Sequence, residues 1–595
     1  MSPQGPRPAR LLAAGIAAVL VIASCGDATV SPTTSFSRGP DGTAGTTPVP
    51  SAAPSTGAFV PMAYPAEGPA PCEQPKSPDP AHGPYDGELR RIRAKDADTV
   101  IFELCDADPA FLAKIASPAL AIDDTAWLQS RIDPAADQQR IVREVNGTGP
   151  FRVERWDGSG DVGLARFDGY WGPKATTDSV IFVGENDAGQ RLAKLREGSV
   201  DGIDLVAPAN VEEVEANPEL TLAHRQGLNT SYVGMNNRFA PFDVEVVRQA
   251  IAIGIDRQAI VDGSFPPGTD LATHFLPCAI PFGCAGGPWQ QPDPALGRDI
   301  LAEAGFPDGF ATTITYSDEA RDYLPDPTAT ATALQAQLRD QLGIQATLNV
   351  VPFDKLISSV DSGKLGGLYL LGARSRYPDP TLLLEGHFGA DASLQFGRRF
   401  DDIARALAQG RSSANPKVRE EGYSRTNGRI ALHVPMIPLA HVGSAGAFRT
   451  DVTGASVLAT AAERFSSVVP GDRTQFVFMQ QARPSGLYCP DETEDVALRI
   501  CAQVAESLYR FEAPDPTLAP ALAESCAPDK RQLVWTCKLR DNVRFHDGAR
   551  LDANDVVLSY AVQWDADNPL HRGRTGTFEA FQDRFGGFLN PPATP

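Results

Sequence analysis

Cysteines are the residues of this 595-residue chain whose spacing suggests chemistry most directly. Eight of the nine cysteines follow Cys25, and eight thiols allow many pairings. Local spacing favours bridges between Cys526 and Cys537, which flank a turn between two strands, and between Cys278 and Cys284, which close a tight loop. The remaining bridges are then Cys489–Cys501 and Cys72–Cys105.

Zinc binding is the competing interpretation of these cysteines. The chain has no CxxC, and none of its eight histidines forms an HxxxH or HExxH pair. We therefore expect disulfides, no metal and an oxidising location outside the cytoplasm.

Local catalytic motifs are missing from the sequence. It contains no GxSxG nucleophile turn, no GxxxxGK[ST] phosphate loop and no GxGxxG after a predicted strand. Distant residues can still assemble a triad, but the sequence gives no positive sign of an enzyme or of a cofactor.

The N-terminus has the features of a secretory signal. Arg7 and Arg10 precede the apolar run LLAAGIAAVLVIA, which leads into IASC at residues 22–25. A small-residue cleavage site followed directly by Cys25 resembles the bacterial lipobox, whose cysteine receives a diacylglycerol. We expect residues 1–24 to be a lipoprotein signal peptide and residues 25–60 to be a flexible tether. The mature protein would then be anchored to the outer face of the cytoplasmic membrane.

Length, charge and periodicity limit the class of protein. With 42% hydrophobic residues the chain can bury several cores, and its net charge of −21 argues against nucleic acid and anionic lipid. Alternating patterns predict an α/β fold with buried sheets. Predicted strands lie at 99–104, 179–184, 230–236, 310–316, 345–351, 365–373 and 473–480, and predicted helices at 188–198, 242–256, 295–305 and 329–343.

Residues 544–560, RFHDGARLDANDVVLSY, predict a strand end, a His546-Asp547-Gly548 turn and a helix. Asp552 and Asp555 have the spacing of a capping box. The helix has an apolar face that requires a partner surface, although little patterned sequence follows it.

Six segments together resemble the extracytoplasmic solute-binding proteins of oligopeptide, dipeptide and nickel ABC importers, called family 5. They are GTGPFRVERW (147–156), FDGYWGP (167–173), RLAKLREGSVDGIDL (191–205), YVGMNNRFAPFDVEVVRQAIAIGIDRQAIV (232–261), RYPDP (376–380) and the segment 522–560 that contains FHDG. The resemblance covers nearly all of the mature chain. It implies a two-lobe type II periplasmic-binding-protein fold with an enlarged lobe I.

The order of these segments differs from that of the family. The part that resembles the family's beginning, about residues 474–590, comes last here, so the chain looks circularly permuted at a surface loop between about Phe588 and Tyr85. We therefore expect the strand near Phe476 and Phe478 to share a sheet or core with strands before residue 232. Lobe I would contain residues 61–231, the return segment 447–473 and the permuted segment 474–595, and lobe II would contain residues 232–446, with crossings near 230–236 and 440–447.

The resemblance also suggests ligand contacts in the interlobe cleft. Asn236 and Asn237 follow a strand predicted at the hinge, where they either face the cleft or cap the turn before Pro241. Tyr488 belongs to a segment that resembles a cleft-lining loop, but it could equally pack beside the Cys489 bridge.

The loop GARSRYPDP, residues 372–380, departs from the family pattern. Peptide-binding members place here an Asp that pairs with the α-ammonium of the ligand, and by spacing this position is Arg376. A guanidinium suits a carboxylate or phosphate, so an anionic or N-blocked peptide-like solute is expected at Arg374, Arg376 and Tyr377. Asp379 would supply negative charge or shape the turn beside its flanking prolines.

The predicted function is that of a monomeric, lipid-anchored binding component of an ABC importer. It would carry a peptide or peptide-like solute to permease subunits, use no cofactor and perform no chemistry. Two other classes are kept: a sensing or adhesive lipoprotein, which a blocked cleft would favour, and a secreted hydrolase, which would need an oriented nucleophile–base pair.

Overall fold

The computed structural model describes residues 58–72, 85–131, 140–156, 158, 160–514 and 516–591. The predicted signal peptide, Cys25 and nearly all of the predicted tether lie outside the described residues. Within these ranges, every helix is too short or too polar to cross a bilayer.

A six-stranded sheet and the helices packed on it form the part of the fold that we call lobe II. Its strands lie in the order Asp270–Leu271, Met436–His441, Asn229–Met235, Leu368–Arg374, Ala311–Tyr316 and Gln345–Val350. Its helices are Glu245–Gly254, Arg257–Ser264, Pro294–Glu303, Pro327–Leu342, Phe353–Asp361, Pro380–Phe388, Asp401–Gly410 and Pro416–His433. The buried apolar residues of this sheet and its helices form a core drawn from Leu228 to Val442.

A seven-stranded sheet belongs to the rest of the fold, which we call lobe I. Its order is Phe151–Arg155, Val162–Arg166, Ser179–Gly184, Gln475–Gln480, Gly202–Ile203, Ser444–Arg449 and Leu220–Arg225. The apolar strand Gln475–Gln480 is parallel to both of its neighbours, with Phe476 opposite Val180 and Phe478 opposite Phe182. The prediction that this strand pairs with strands before residue 232 is confirmed. A strand that is apolar along its whole length has to be covered on both faces, and a position inside the sheet provides this.

A five-stranded sheet completes the main sheets of lobe I. Its strands are Ala63–Tyr64, Leu89–Asp96, Thr99–Leu104, Val534–Leu539 and Ala523–Pro528, in that order. The α-helices of lobe I include Phe111–Lys114, Thr125–Gln129, Ala188–Arg196, Val211–Ala216, Asp495–Val504, Ala553–Trp564 and Glu579–Phe585. Short 3-10 turns lie at Pro118–Leu120, Pro208–Asn210 and Cys489–Asp491, and small ribbons pair Val452–Thr453 with Val469–Pro470 and Tyr509–Glu512 with Thr517–Pro520.

Helix Ala553–Trp564 finds its partner surface in the early part of the chain. Asp552 and Asp555 form the predicted capping box. The Tyr560 ring packs edge-on against Phe102 at 5.1 Å between centroids, and Trp564 Nε1 donates to the Tyr85 hydroxyl at 3.0 Å. The apolar face seen in the sequence is therefore covered by residues that lie more than 400 positions earlier.

The end of the described chain lies against residues 85–88. The backbone N–H of Glu88 donates to the Phe585 carbonyl at 2.7 Å. A Cβ on Gly87 would lie 2.6 Å from the Gly587 carbonyl oxygen, so the two segments are in close backbone contact. This proximity is what the sequence predicted for the region near Phe588 and Tyr85.

The FHDG turn contacts the GTGPF segment directly. Asp547 accepts from Asn146 Nδ2 at 2.9 Å and donates its own backbone N–H to Asn146 Oδ1 at 3.1 Å. The backbone N–H of His546 donates to the Gly147 carbonyl at 2.9 Å. Two motifs about 400 residues apart in sequence thus form one cluster of loops, whose GTGPF side is buried.

All four predicted disulfides are present. Cys72–Cys105, Cys278–Cys284, Cys489–Cys501 and Cys526–Cys537 have Cα separations of 5.2, 5.0, 5.8 and 4.0 Å. The last of them is a cross-strand pair in the predicted hairpin.

A quartet of buried charges, Asp204, Arg225, Glu463 and Arg499, joins separate parts of lobe I. Arg225 Nη2 lies 2.7 Å from Asp204 Oδ1 and 2.5 Å from Glu463 Oε1. Arg499 contacts the other oxygens of the same carboxylates at 2.7 and 2.6 Å. Each cation meets both anions, so the quartet is neutral only when all four side chains are in place.

The quartet makes stability depend on acid pH. Burial alone would raise the pKa of Asp204, but the charges of Arg499 and Arg225 outweigh burial and lower the pKa to about 2. The pKa of Glu463 is lowered by the same two cations. Since the folded pKa values lie below those of the unfolded chain, this stabilisation is present above about pH 4 and is lost as pH falls toward 2.

Replacing Arg499 by Met should lower the free energy of unfolding by about 3–5 kcal/mol, because it leaves two buried carboxylates with a single counterion. Chemical denaturation at pH 7 measures the loss. The difference between wild type and Arg499→Met should shrink as pH is lowered from 4 to 2.

Arg339→Met is the matched control, since Arg339 pairs with Asp340 on an exposed helix surface. It should leave the denaturation midpoint unchanged. An Arg499→Met midpoint as close to wild type as that of this control would contradict the role assigned to the quartet.

Candidate ligand-binding cleft

A cavity of about 750 Å³ lies between the two lobes. Lobe II contributes Asp322, Tyr323 and residues 372–377 to its wall. Lobe I contributes residues 116–118, 458–462, 505–507 and the helix that contains Asp583 and Arg584. The chain segments 225–229 and 442–444, which connect the seven-stranded and six-stranded sheets, form the back of the cavity.

The two connecting segments are held together by a side chain. Asn229 Oδ1 accepts from the backbone N–H of Val442 and Asn229 Nδ2 donates to its carbonyl, both at 2.8 Å. A Cβ on Gly227 would lie 2.1 Å from the same carbonyl oxygen. Glycine at 227 therefore permits the close approach of the two segments.

Glu506 organises the lobe I side of the wall. Its fully buried carboxylate accepts from Tyr170 at 2.8 Å, Trp171 at 2.7 Å and Thr148 at 3.1 Å. Arg464 adds an ion pair at 3.3 Å. Every oxygen of this carboxylate is satisfied, so Glu506 fixes aromatic rings and an arginine at the edge of the cavity.

The structure places Arg374, Arg376 and Tyr377 on the cavity wall. The two arginine side chains are 59% and 55% exposed. Arg376 forms an ion pair with Asp583 of lobe I, and Arg374 lies 3.7 Å from Asp322. The positive charge at Arg376 is therefore already matched by a protein carboxylate, which the sequence did not indicate.

Tyr377 takes a different position from its neighbours in the loop. It is buried and belongs to the hydrophobic core of lobe I together with Tyr560 and Phe585. Burial raises the pKa of its hydroxyl above the usual value. Tyr377 thus inserts from the lobe II loop into lobe I at one end of the cavity.

Asp379 does not line the cavity, which corrects its assignment as a ligand contact. Its carboxylate caps helix Pro380–Phe388 by accepting from the Thr381 N–H at 3.0 Å. It also pairs with Arg419 at 2.7 and 2.9 Å. Both roles shape the loop and leave this carboxylate no free face toward a solute.

Asn236 and Asn237 also lie away from the cavity wall. Strand Asn229–Met235 starts at the cavity and runs into lobe II, so its far end, not its start, carries these two residues. The Asn236 amide donates to the Gly363 and Leu365 carbonyls, and that of Asn237 to the Met235 and Pro435 carbonyls. The assignment to the ligand failed because the sequence does not give the direction of the strand relative to the cleft.

Tyr488 is buried in the core of lobe I and packs edge-on against Phe578. It is absent from the cavity wall. Its assignment as a ligand contact is corrected, since the ring lies in the core of lobe I and packs against Phe578.

Sequence reasoning missed most of the charged residues of the wall. Arg225, Arg464, Glu506 and Arg584 come from four distant segments and belong to no short motif. The sequence carries no signal for Arg584, because Gln582 and Asp583 precede it directly in an ordinary amphipathic stretch. In the described residues, acidic, His and Cys side chains form no group of three that could hold a metal ion.

Comparison with known proteins supports the resemblance seen in the sequence. The di/tripeptide-binding protein 1 of Pseudomonas aeruginosa is 26% identical over 370 residues, which are 60% of this chain and 66% of that protein. Heme-binding protein A of Haemophilus influenzae is 25% identical over 366 residues, 59% of this chain and 64% of that protein. The chain thus spans just under two thirds of the length of these relatives.

A solved structure gives the same picture of the fold. HbpA2 from Haemophilus parasuis superposes with a TM-score of 0.58 at 25% identity, over 64% of this chain and 75% of that one. The model of the bacterial extracellular solute-binding proteins, family 5 Middle, matches residues 58–394 and 517–583. These two ranges make up more than half of the sequence. The chain belongs to family 5 of the bacterial extracellular solute-binding proteins.

Proposed function

We propose that this protein is the solute-binding component of an ABC importer, anchored outside the cytoplasmic membrane through Cys25. It carries a peptide or peptide-like solute in the interlobe cavity and delivers it to a permease. The observation that supports this most is the cavity of about 750 Å³ with walls from both lobes. Its volume falls in the range of small-molecule sites, about 300–1,000 Å³.

The chemistry of the wall suits a peptide-like solute. Arginine and carboxylate side chains alternate around the cavity with backbone of the segments 226–229 and 442–444. Peptides offer both charges and amide groups, which such a wall can pair. One relative is named for di- and tripeptides, in agreement with this chemistry.

Contacts across the cleft provide a way to hold the lobes closed over the solute. Arg419 of lobe II donates to the Pro109 carbonyl of lobe I at 2.8 Å, and Asp379 fixes the same guanidinium. Gln532 of lobe I donates to the Ser412 carbonyl of lobe II at 2.7 Å. With the inserted Tyr377 ring, these contacts between the lobes form what we call the closure seam.

A cavity-filling substitution tests the binding site. Ala459→Trp should abolish solute binding because the indole occupies the cavity, whereas Ala302→Trp, on an exposed helix outside the wall, should bind like wild type. Thermal shift and calorimetry with a panel of di- and tripeptides measure binding, since a ligand at about 100 times its Kd stabilises the protein by about 2.7 kcal/mol. A wild type that binds no member of the panel and carries no small molecule in native mass spectrometry from its host would refute the proposal.

The closure seam gives a second prediction. Gln532 has a left-handed backbone with φ of 59°, so Gln532→Gly relieves the backbone while deleting the hydrogen bond to lobe II. We expect the Kd of a bound peptide to weaken roughly fivefold, the value of one hydrogen bond of about 1 kcal/mol, without loss of Tm. Asn542→Gly makes the same backbone change at φ of 64° on an exposed turn and should leave the Kd unchanged. Equal Kd values for the two variants would show that Gln532 does not contribute to closure of the lobes.

The proposal extends to chain order: residues 474–591 are the first part of lobe I, moved to the end. Strand Gln475–Gln480 between Ser179–Gly184 and Gly202–Ile203 supports it, as does the meeting of Gly587 with Gly87. Alignments that cover only 60% and 64% of this chain are in line with a rearranged order.

A rearranged chain tests this order. Starting the mature protein at residue 474 and joining residue 591 to residue 58 through a flexible linker should preserve Tm and peptide binding. A cut between Phe478 and Met479 should prevent folding, because it divides a central strand. Residues 474–591 expressed alone should show no cooperative unfolding, and a sharp melting transition of that fragment would contradict the proposal.

A further inference from the structure

The cavity wall contains six arginines, and five of them are paired with carboxylates. Arg225 meets Asp204 and Glu463, and Arg376 meets Asp583. The remaining pairs are Arg374 with Asp322 at 3.7 Å, Arg464 with Glu506 at 3.3 Å and Arg510 with Glu512 at 2.9 Å.

Arg584 is the exception among these cations. It lines the cavity, is only 8% exposed and has no carboxylate within 4 Å in the part of the chain that the structure describes. Its Nη1 donates to the Ala580 carbonyl at 2.7 Å and its Nη2 to the Arg376 carbonyl at 3.3 Å. Its Nε is buried without a hydrogen-bond partner. A guanidinium has five N–H groups, so donors remain for a further acceptor.

The surroundings of Arg584 offer no counterion. The charged or titratable groups that act on it are the Tyr377 hydroxyl, the Arg376 guanidinium and the Tyr560 hydroxyl. Tyr560 Oη is itself buried without a partner. Burial, with a smaller contribution from Arg376, lowers the pKa of Arg584 to about 10, so the side chain stays charged at neutral pH. A buried charge without a counterion is unfavourable unless a ligand supplies the counterion.

We infer that Arg584 is the anion-recognition residue of the cleft and that the solute carries a carboxylate or similar anionic group that pairs with it. This inference rests on the proposed function and specifies its solute class. It also moves the selection of negative charge from Arg376, whose charge Asp583 balances, to Arg584. The pairing of Arg376 with Asp583 holds the Arg376 carbonyl that orients Arg584.

Three synthetic dipeptides distinguish the sources of the anion. Ala-Gln-amide has no carboxylate, Ala-Gln has a terminal carboxylate and Ala-Glu has a second one on its side chain. Calorimetry on the full mature protein should show that Ala-Gln-amide binds at least about 30-fold more weakly than the preferred acid. Preference for Ala-Gln over the amide assigns Arg584 to the peptide C-terminus, and preference for Ala-Glu over Ala-Gln assigns it to an acidic side chain.

Variants of Arg584 complete the test. Arg584→Gln should remove the preference for the acid while leaving the ligand-free Tm unchanged or higher, because it deletes an uncompensated buried charge. Arg584→Lys keeps the charge without the planar fork and should keep the preference at reduced affinity. If Arg584→Gln lowers Tm strongly, the test rests on Arg584→Lys alone. Loss of the preference for the acid in Arg584→Lys then overturns the inference. Arg339→Gln removes one exposed cation far from the cavity and should bind like wild type.

Different results separate the inference from the function on which it rests. Equal binding of all three dipeptides by wild type, or an unchanged preference in Arg584→Gln, overturns the inference and leaves solute binding intact. Failure of all three to bind overturns the inference, and the proposed function is refuted as well only if the full panel of di- and tripeptides and the native mass spectrum also show no ligand.

Discussion

The neutrality of one buried charge quartet constrains the rest of lobe I. Asp204 and Arg225 come from the part of the chain before the crossing to lobe II, Glu463 from the return segment and Arg499 from the C-terminal part. Removing charges from water is costly, and only the complete set of four ion pairs offsets that cost. These three parts of the chain must therefore be assembled together, and the same assembly places Arg225 at the back of the cavity and Glu463 next to residues 458–462 of its wall.

Local patterns were sufficient to predict some elements of this fold. The disulfide spacings, the capping box at Asp552 and the strands at 99–104 and 179–184 depend on residues close in sequence, and the structure confirms them. The position of Gln475–Gln480 was also predictable, because a strand that is apolar on both faces needs two covered sides. The proposed chain order rests on the resemblance, not on periodicity.

The cleft could be predicted only in part, since its chemistry depends on pairs between distant segments. Arg376 was recognisable as a departure from the family pattern, but its partner Asp583 lies about 200 residues away in sequence. Asp379 looked like a free carboxylate until the structure brought Arg419 to it. A sequence shows which side chains are charged. Which of these charged side chains lack an ion-pair partner can be recognised only from a structure that shows all the pairs.

The side chain of Asn229 limits how the two lobes can move. Because it bonds both the N–H and the carbonyl of Val442, the two strands that connect the lobes cannot slide past each other without breaking two hydrogen bonds. Sliding of one lobe along the other is thereby suppressed, and twisting of one connection relative to the other is restrained in the same way. Any movement of the lobes that separates residues 229 and 442 must therefore break both of these hydrogen bonds, so the least costly movements are those that keep the two residues together.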